Sequence, residues 1–131
     1  MDNGSVATEV YRLLVEDNDC VIHQLGTRGP SGGKHEGRGS WTFARYLADT
    51  DYAGKTNAFW DKIKGRLDFQ KYCETNGYEG IDYFLIALGT NDVSQGTTLY
   101  RTEAEVQKFV DQAKQFIDAL LDKDCLLYTS P

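Results

Sequence analysis

Ile81-Asp82-Tyr83-Phe84-Leu85-Ile86-Ala87-Leu88-Gly89-Thr90-Asn91-Asp92 decides the fold expected of this chain. Tyr83 to Leu88 is an unbroken apolar run. A strand wet on one face alternates, so this run predicts a strand buried on both faces, as in a parallel sheet. Gly89 permits a sharp turn, and Asn91 and Asp92 can bond their own backbone there. Small polar residues at the carboxyl edge of a parallel sheet lie where open α/β folds bind ligands. On these residues alone, a plain polar turn and a ligand-binding edge both remain open.

The flanking elements extend the pattern. Val6, Val10, Leu13 and Leu14 share one helical face over about residues 5–16, with Ser5 as a candidate N-cap. Cys20–Leu25 reads as a short strand, with His23 inside it as a structural histidine. Trp41–Leu47 reads as a short helix capped near Ser40 or Thr42. Residues 49–66 are polar and irregular, anchored by Phe59 and Trp60. Asp68–Asn76 reads as a helix stopped at Asn76-Gly77. After a loop from Ser94 to Thr102, Thr102-Glu103-Ala104-Glu105 fits a capping box. Val106, Phe109, Val110, Ala113, Phe116, Ile117, Leu120 and Leu121 then keep helical spacing, predicting a helix packed on a sheet. The order of elements predicts an α/β domain with a parallel sheet.

Composition excludes several classes. The chain has 131 residues, 40% hydrophobic and 26% charged, with a net charge of -6 and a pI of about 4.8. A nucleic-acid binder needs a basic face, and so does a protein that docks on anionic lipid. No apolar run is long enough to span a membrane. The first residues carry no signal-peptide pattern. Cys20, Cys73 and Cys125 are too few and too scattered for a disulfide framework or a zinc site, and Cys20 and Cys73 read as small buried hydrophobes.

Gly26 to Ser40 is too long and glycine-rich for a plain connector. Gly29-Pro30-Ser31-Gly32-Gly33 matches G-x-S-x-G, but a nucleophile elbow needs a tight strand-to-helix turn, and no helix is expected before about Ser40. Gly33-Lys34 fails as a phosphate loop, since Arg28 replaces its first glycine and His35 its magnesium-binding hydroxyl. A non-catalytic module holding an anion or sugar on backbone N–H groups of this loop is the alternative reading.

Four stretches together resemble a known family. They are His35-Glu36-Gly37-Arg38-Gly39-Ser40-Trp41-Thr42, Asn57-Ala58-Phe59-Trp60, Leu67-Asp68-Phe69 and Gly89-Thr90-Asn91-Asp92. They are similar to the SGNH hydrolases, or GDSL esterases, over most of residues 6–120. The resemblance implies a flavodoxin-like, three-layer α/β/α fold with a parallel sheet. It implies a serine esterase or acylhydrolase acting on short acyl esters, including acetylated carbohydrate, with no metal or cofactor. It places Asn91 in the oxyanion hole, with a backbone N–H from Ser40, or alternatively Gly39, as the second donor. His35 would hold the glycine loop.

The family's Gly-Asp-Ser nucleophile block and Asp-x-x-His base block are absent, since His23 and His35 both precede residue 81. The chain is therefore expected to be a partial, inactive domain over residues 1–124, incomplete at both ends. Relatives in this family are often exported. Cys125-Leu126-Leu127-Tyr128-Thr129-Ser130-Pro131 resembles the translated end of a transposon used to fragment DNA, which implies a non-native tail after Asp124.

Overall fold

The computed structural model describes residues 4–94 and 102–122. Most of the expected loop after Ser94, and the tail 125–131 with Cys125, lie outside the described residues. The chain divides into two compact units, Met1–Gly39 and Ser40–Pro131.

In the first unit, α1 spans Ser5–Tyr11 and continues as a π-helical turn, Arg12–Glu16. Gly4 occupies the N-cap position that the sequence suggested for Ser5, and its carbonyl accepts the Thr8 N–H and hydroxyl. Arg12 donates to both Glu9 and Asp17. Cys20–Leu25 forms no strand among the described residues, and both Cys20 and His23 are exposed.

The second unit is built on aromatic side chains. Trp41 and Phe69 are fully buried, and Phe43, Tyr46, Phe59, Tyr72 and Phe116 are nearly so. Phe59 is central, with ring centroids 4.8 Å from Phe69 and 4.9 Å from Tyr72. Such edge and tilted contacts add specificity to the burial of large apolar area. Helix α2, Phe43–Tyr46, starts at Thr42, whose hydroxyl accepts the Arg45 N–H. Two short antiparallel hairpins follow: β1 (Asp51–Tyr52) with β2 (Lys55–Thr56), and β3 (Trp60–Asp61) with β4 (Arg66–Leu67). The first turns through Ala53 and Gly54, both at positive φ, as a two-residue hairpin with primed turn geometry requires. Asn57 is buried between the hairpins. Its Nδ2 donates to the Tyr46 and Ala48 carbonyls, and its Oδ1 accepts the Phe59 N–H. Helix α3, Phe69–Asn76, begins one residue later than expected, with Asp68 as its cap, and ends at left-handed Gly77, the stop its sequence predicts. Helix α4, Thr90–Val93, follows Gly89. Helix α5, Glu103–Leu120, opens with the complete capping box of Thr102 and Glu105.

The expected flavodoxin-like parallel sheet and three-layer α/β/α architecture are not what the chain forms. Among the described residues there are five α-helices and two antiparallel two-stranded sheets. A parallel ladder needs two extended segments bonded side by side. Residues 81–88 form neither helix nor strand, and no backbone bond to another segment is found along them among the described residues. Nor is the segment buried on both faces. Phe84, Ile86 and Leu88 pack on the aromatic core, while Tyr83 is 95% exposed and Leu85 68%. Helix α5 packs on α2 and α4, and among the described residues no parallel sheet lies beside it. It buries Phe116 and Leu120 and leaves Val106, Val110, Ile117 and Leu121 exposed.

Candidate functional site

Of the residues singled out in the sequence, Asn91 and Asp92 bond to the backbone just after Ser40, in the turn that opens the second unit. Ser40 has φ 63, a left-handed conformation that glycine adopts freely and serine at a cost. Three side chains pin the backbone that follows. Arg45 Nη1 donates to the Ser40 carbonyl at 2.7 Å. Asn91 Nδ2 donates to the Trp41 carbonyl at 3.0 Å. Asp92 Oδ1 accepts the Phe43 N–H at 3.0 Å. The Arg45 guanidinium is itself held, lying 3.8 Å over the Tyr52 ring.

Asn91 and Asp92 reach this turn because Gly89, at φ 114, swings the chain from the extended segment directly into α4. Any side chain at residue 89 would be strained at that φ and would press on the Phe109 ring. Asn91 is half-buried. Its carboxamide nitrogen carries two protons, and the bond to Trp41 uses one. The second is the group able to meet an oxyanion. Thr90, by contrast, is exposed.

The sequence reading has Asp92 bonding backbone amides of its own turn; it does bond a backbone amide, but a distant one. Its Oδ1 serves a backbone amide 49 residues away. Its Oδ2 is buried with no hydrogen-bond partner. Burial pushes its carboxyl above the ordinary aspartate value, against the pull of the Phe43 N–H and of Arg45. The role of Arg45 was also missed. The only local signal was its place in the first turn after Thr42.

Gly39, the alternative backbone donor, closes the first unit. Within that unit His35 is tied into the glycine loop. Its backbone pairs with Arg28 in both directions, and its Nδ1 accepts the Gly37 N–H at 3.0 Å. Several of the loop's donors are taken within the first unit. The Thr27 N–H goes to Glu36, the Gly33 N–H to the Pro30 carbonyl and the Lys34 N–H to Gln24. Arg28 donates to the Gly37 carbonyl, and Arg38 to Glu36, both side chains of that ion pair being mostly buried. An anion cradle needs N–H groups free to face a ligand, and these are bonded within the unit. Gly29, at φ 84, is required here, since a Cβ would lie 2.2 Å from the Gly33 carbonyl oxygen. Ser31 sits in an exposed turn with no helix after it, so the elbow geometry is missing.

Among the described residues no group of three His, Cys, Asp or Glu side chains could hold a metal ion. No helix among them is long and apolar enough to cross a membrane. Comparison with protein families, curated proteins and solved structures finds none that matches this chain.

Proposed function

We propose that this chain carries the oxyanion-binding half of a serine esterase or acylhydrolase of the SGNH (GDSL) type, acting on short acyl esters, including acetylated carbohydrate. The observation that supports this reading is the Asn91 carboxamide, oriented by the Trp41 carbonyl with one N–H left for a ligand. In such a reaction a serine attacks the ester carbonyl and a histidine takes the serine proton. The carbonyl oxygen becomes an oxyanion, and preorganised donors stabilise it. Asn91 Nδ2 would be one donor and the Ser40 N–H the second, with the Gly39 N–H as the alternative. Because this half of the site needs only N–H donors, no metal or cofactor enters the proposal. The nucleophile and the base belong to Gly-Asp-Ser and Asp-x-x-His blocks that these 131 residues do not contain.

Two arms test the reading. The 131-residue chain should hydrolyse p-nitrophenyl acetate no faster than buffer, with Ser31→Ala making no difference. The DNA on either side of the reading frame should encode the two missing blocks. In the longer protein Asn91→Ala should lower kcat by about 10²–10³ with KM little changed, the pattern of an interaction made mainly in the transition state. Asn91→Asp should be at least as damaging, because a carboxylate repels an oxyanion. Near-normal kcat in both folded variants would remove Asn91 from the reaction.

A further inference from the structure

We infer that Asp92 is a positioning residue for the oxyanion donors, acting through the Phe43 N–H to set the turn on which Asn91 is held. Its functional meaning rests on the esterase reading, but the coupling itself does not.

Asn91 and Asp92 are adjacent on α4, and their side chains grip the same short backbone from opposite chemical directions. Asn91 donates to the Trp41 carbonyl, and Asp92 accepts from Phe43 two residues later. A carboxamide with a single anchoring bond is free to swing about it. With the second bond in place, α4 and the start of α2 form a closed loop of contacts, and the Asn91 nitrogen is fixed relative to Ser40. Arg45 completes the arrangement on the other side through the Ser40 carbonyl. Thr42 takes the Arg45 N–H of α2, and Asp92 takes the Phe43 N–H that Thr42 leaves open, so the cap of α2 is completed from α4. Solvation does not explain Asp92, because Oδ2 is buried with no partner. Burying a carboxylate oxygen without a hydrogen bond is costly, so the position of Asp92 opposes stability while it fixes geometry. Among the described residues, the charged group that acts on Asp92 is Arg45 of α2.

The neutral isostere separates geometry from charge. Asn at residue 92 can keep a carbonyl oxygen on the Phe43 N–H, whereas Ala cannot. In the ¹⁵N-labelled chain, Asp92→Ala should speed hydrogen exchange at the Phe43 N–H by about tenfold, the size of one lost hydrogen bond. It should also shift the Asn91 side-chain amide signals towards those of a free carboxamide. Asp92→Asn should restore both to the wild-type pattern. The wild-type Phe43 amide signal should titrate with Asp92, while in Asp92→Asn it should stay flat with pH. Asn91 signals unmoved in a folded Asp92→Ala chain would overturn the inference. So would an Asp92→Asn chain that behaves as Asp92→Ala does. If these couplings hold but Asn91→Ala leaves esterase turnover intact, the esterase reading fails and the positioning role of Asp92 stands.

Discussion

Phe43 and Asp92 are joined by one hydrogen bond, from the Phe43 N–H to Asp92 Oδ1 at 3.0 Å, that closes a loop of 49 residues. The other carboxylate oxygen is buried without a partner. Burial raises the carboxyl's folded-state pKa above its unfolded value. A carboxyl shifted in that direction adds no cost when protonated, and it opposes folding as pH rises through its folded pKa. Asp92→Asn should therefore be more stable than wild type at neutral pH, with the difference shrinking in acid. Thermal melts of both chains across this range check the sign.

Asp68 shows the opposite behaviour. Burial pushes its carboxyl up, but the hydrogen bonds from the Lys64 ammonium and the Lys71 N–H outweigh burial and hold it below its ordinary value. Its stabilisation is present above the ordinary carboxylate range and is lost as pH falls through the depressed folded value. Asp68→Asn should flatten the acid limb of the stability curve while keeping the cap on α3. Asp68→Ala should lose the cap as well, costing about 1 kcal/mol at neutral pH. Urea melts at neutral and acid pH distinguish the two.

Ser40 is held at positive φ by the contacts around it. Replacing it with glycine removes the steric cost of that conformation and adds a smaller entropic cost in the unfolded chain. Ser40→Gly should stabilise the second unit by about 0.5–1 kcal/mol net, with the Phe43 and Asn91 signals unchanged. Destabilisation would mean that the serine side chain contributes a bond that outweighs the strain.

Asn57 makes three hydrogen bonds in a buried site. Asn57→Ala removes three hydrogen bonds and leaves the Phe59 N–H without its acceptor, although the Ala48 carbonyl keeps the Thr50 N–H, and should cost about 1–3 kcal/mol. Asn57→Asp should be worse at neutral pH, because a carboxylate oxygen replaces the donor facing the Tyr46 and Ala48 carbonyls. Chemical denaturation of the three proteins gives the order directly.

What the sequence revealed was mostly local. The starts of α3 and α5 were legible because Asp68, Thr102 and Glu105 lie within three residues of the amides they serve. The grouping of Asn91 with Ser40 rests on family resemblance alone, and no short-range signal marks the bond from Asn91 to the Trp41 carbonyl. The sheet was misread because an apolar run shows that a segment wants burial and does not show what lies beside it. Tyr83 and Leu85 carry the same composition as Phe84 and Ile86, yet they face away from the core. The same limit applies to α5, whose helical period was evident but whose stripe proved wider than the surface covering it. The bond between Phe43 and Asp92 has no short-range signal at all.

The exposed half of that apolar run gives a further expectation. Leu85 is 68% exposed, so Leu85→Lys should change stability by no more than about 0.5 kcal/mol. It should nonetheless reduce the native chain's binding of a hydrophobic dye, together with Tyr83→Lys, if that face is the one the dye meets. Undiminished fluorescence in the double variant would place the dye elsewhere.

Among the described residues, every apolar side chain of the buried core falls between Trp41 and Leu120, and none falls in the first unit. The first unit is held by turns, ion pairs and a self-bonded glycine loop, interactions that can be broken a few at a time. Its amides should therefore exchange through local openings of small free energy, whereas those around Phe59 and Phe69 should wait for the cooperative loss of the whole aromatic cluster. A protease present at low concentration should cut ahead of Ser40 while the aromatic unit is still intact.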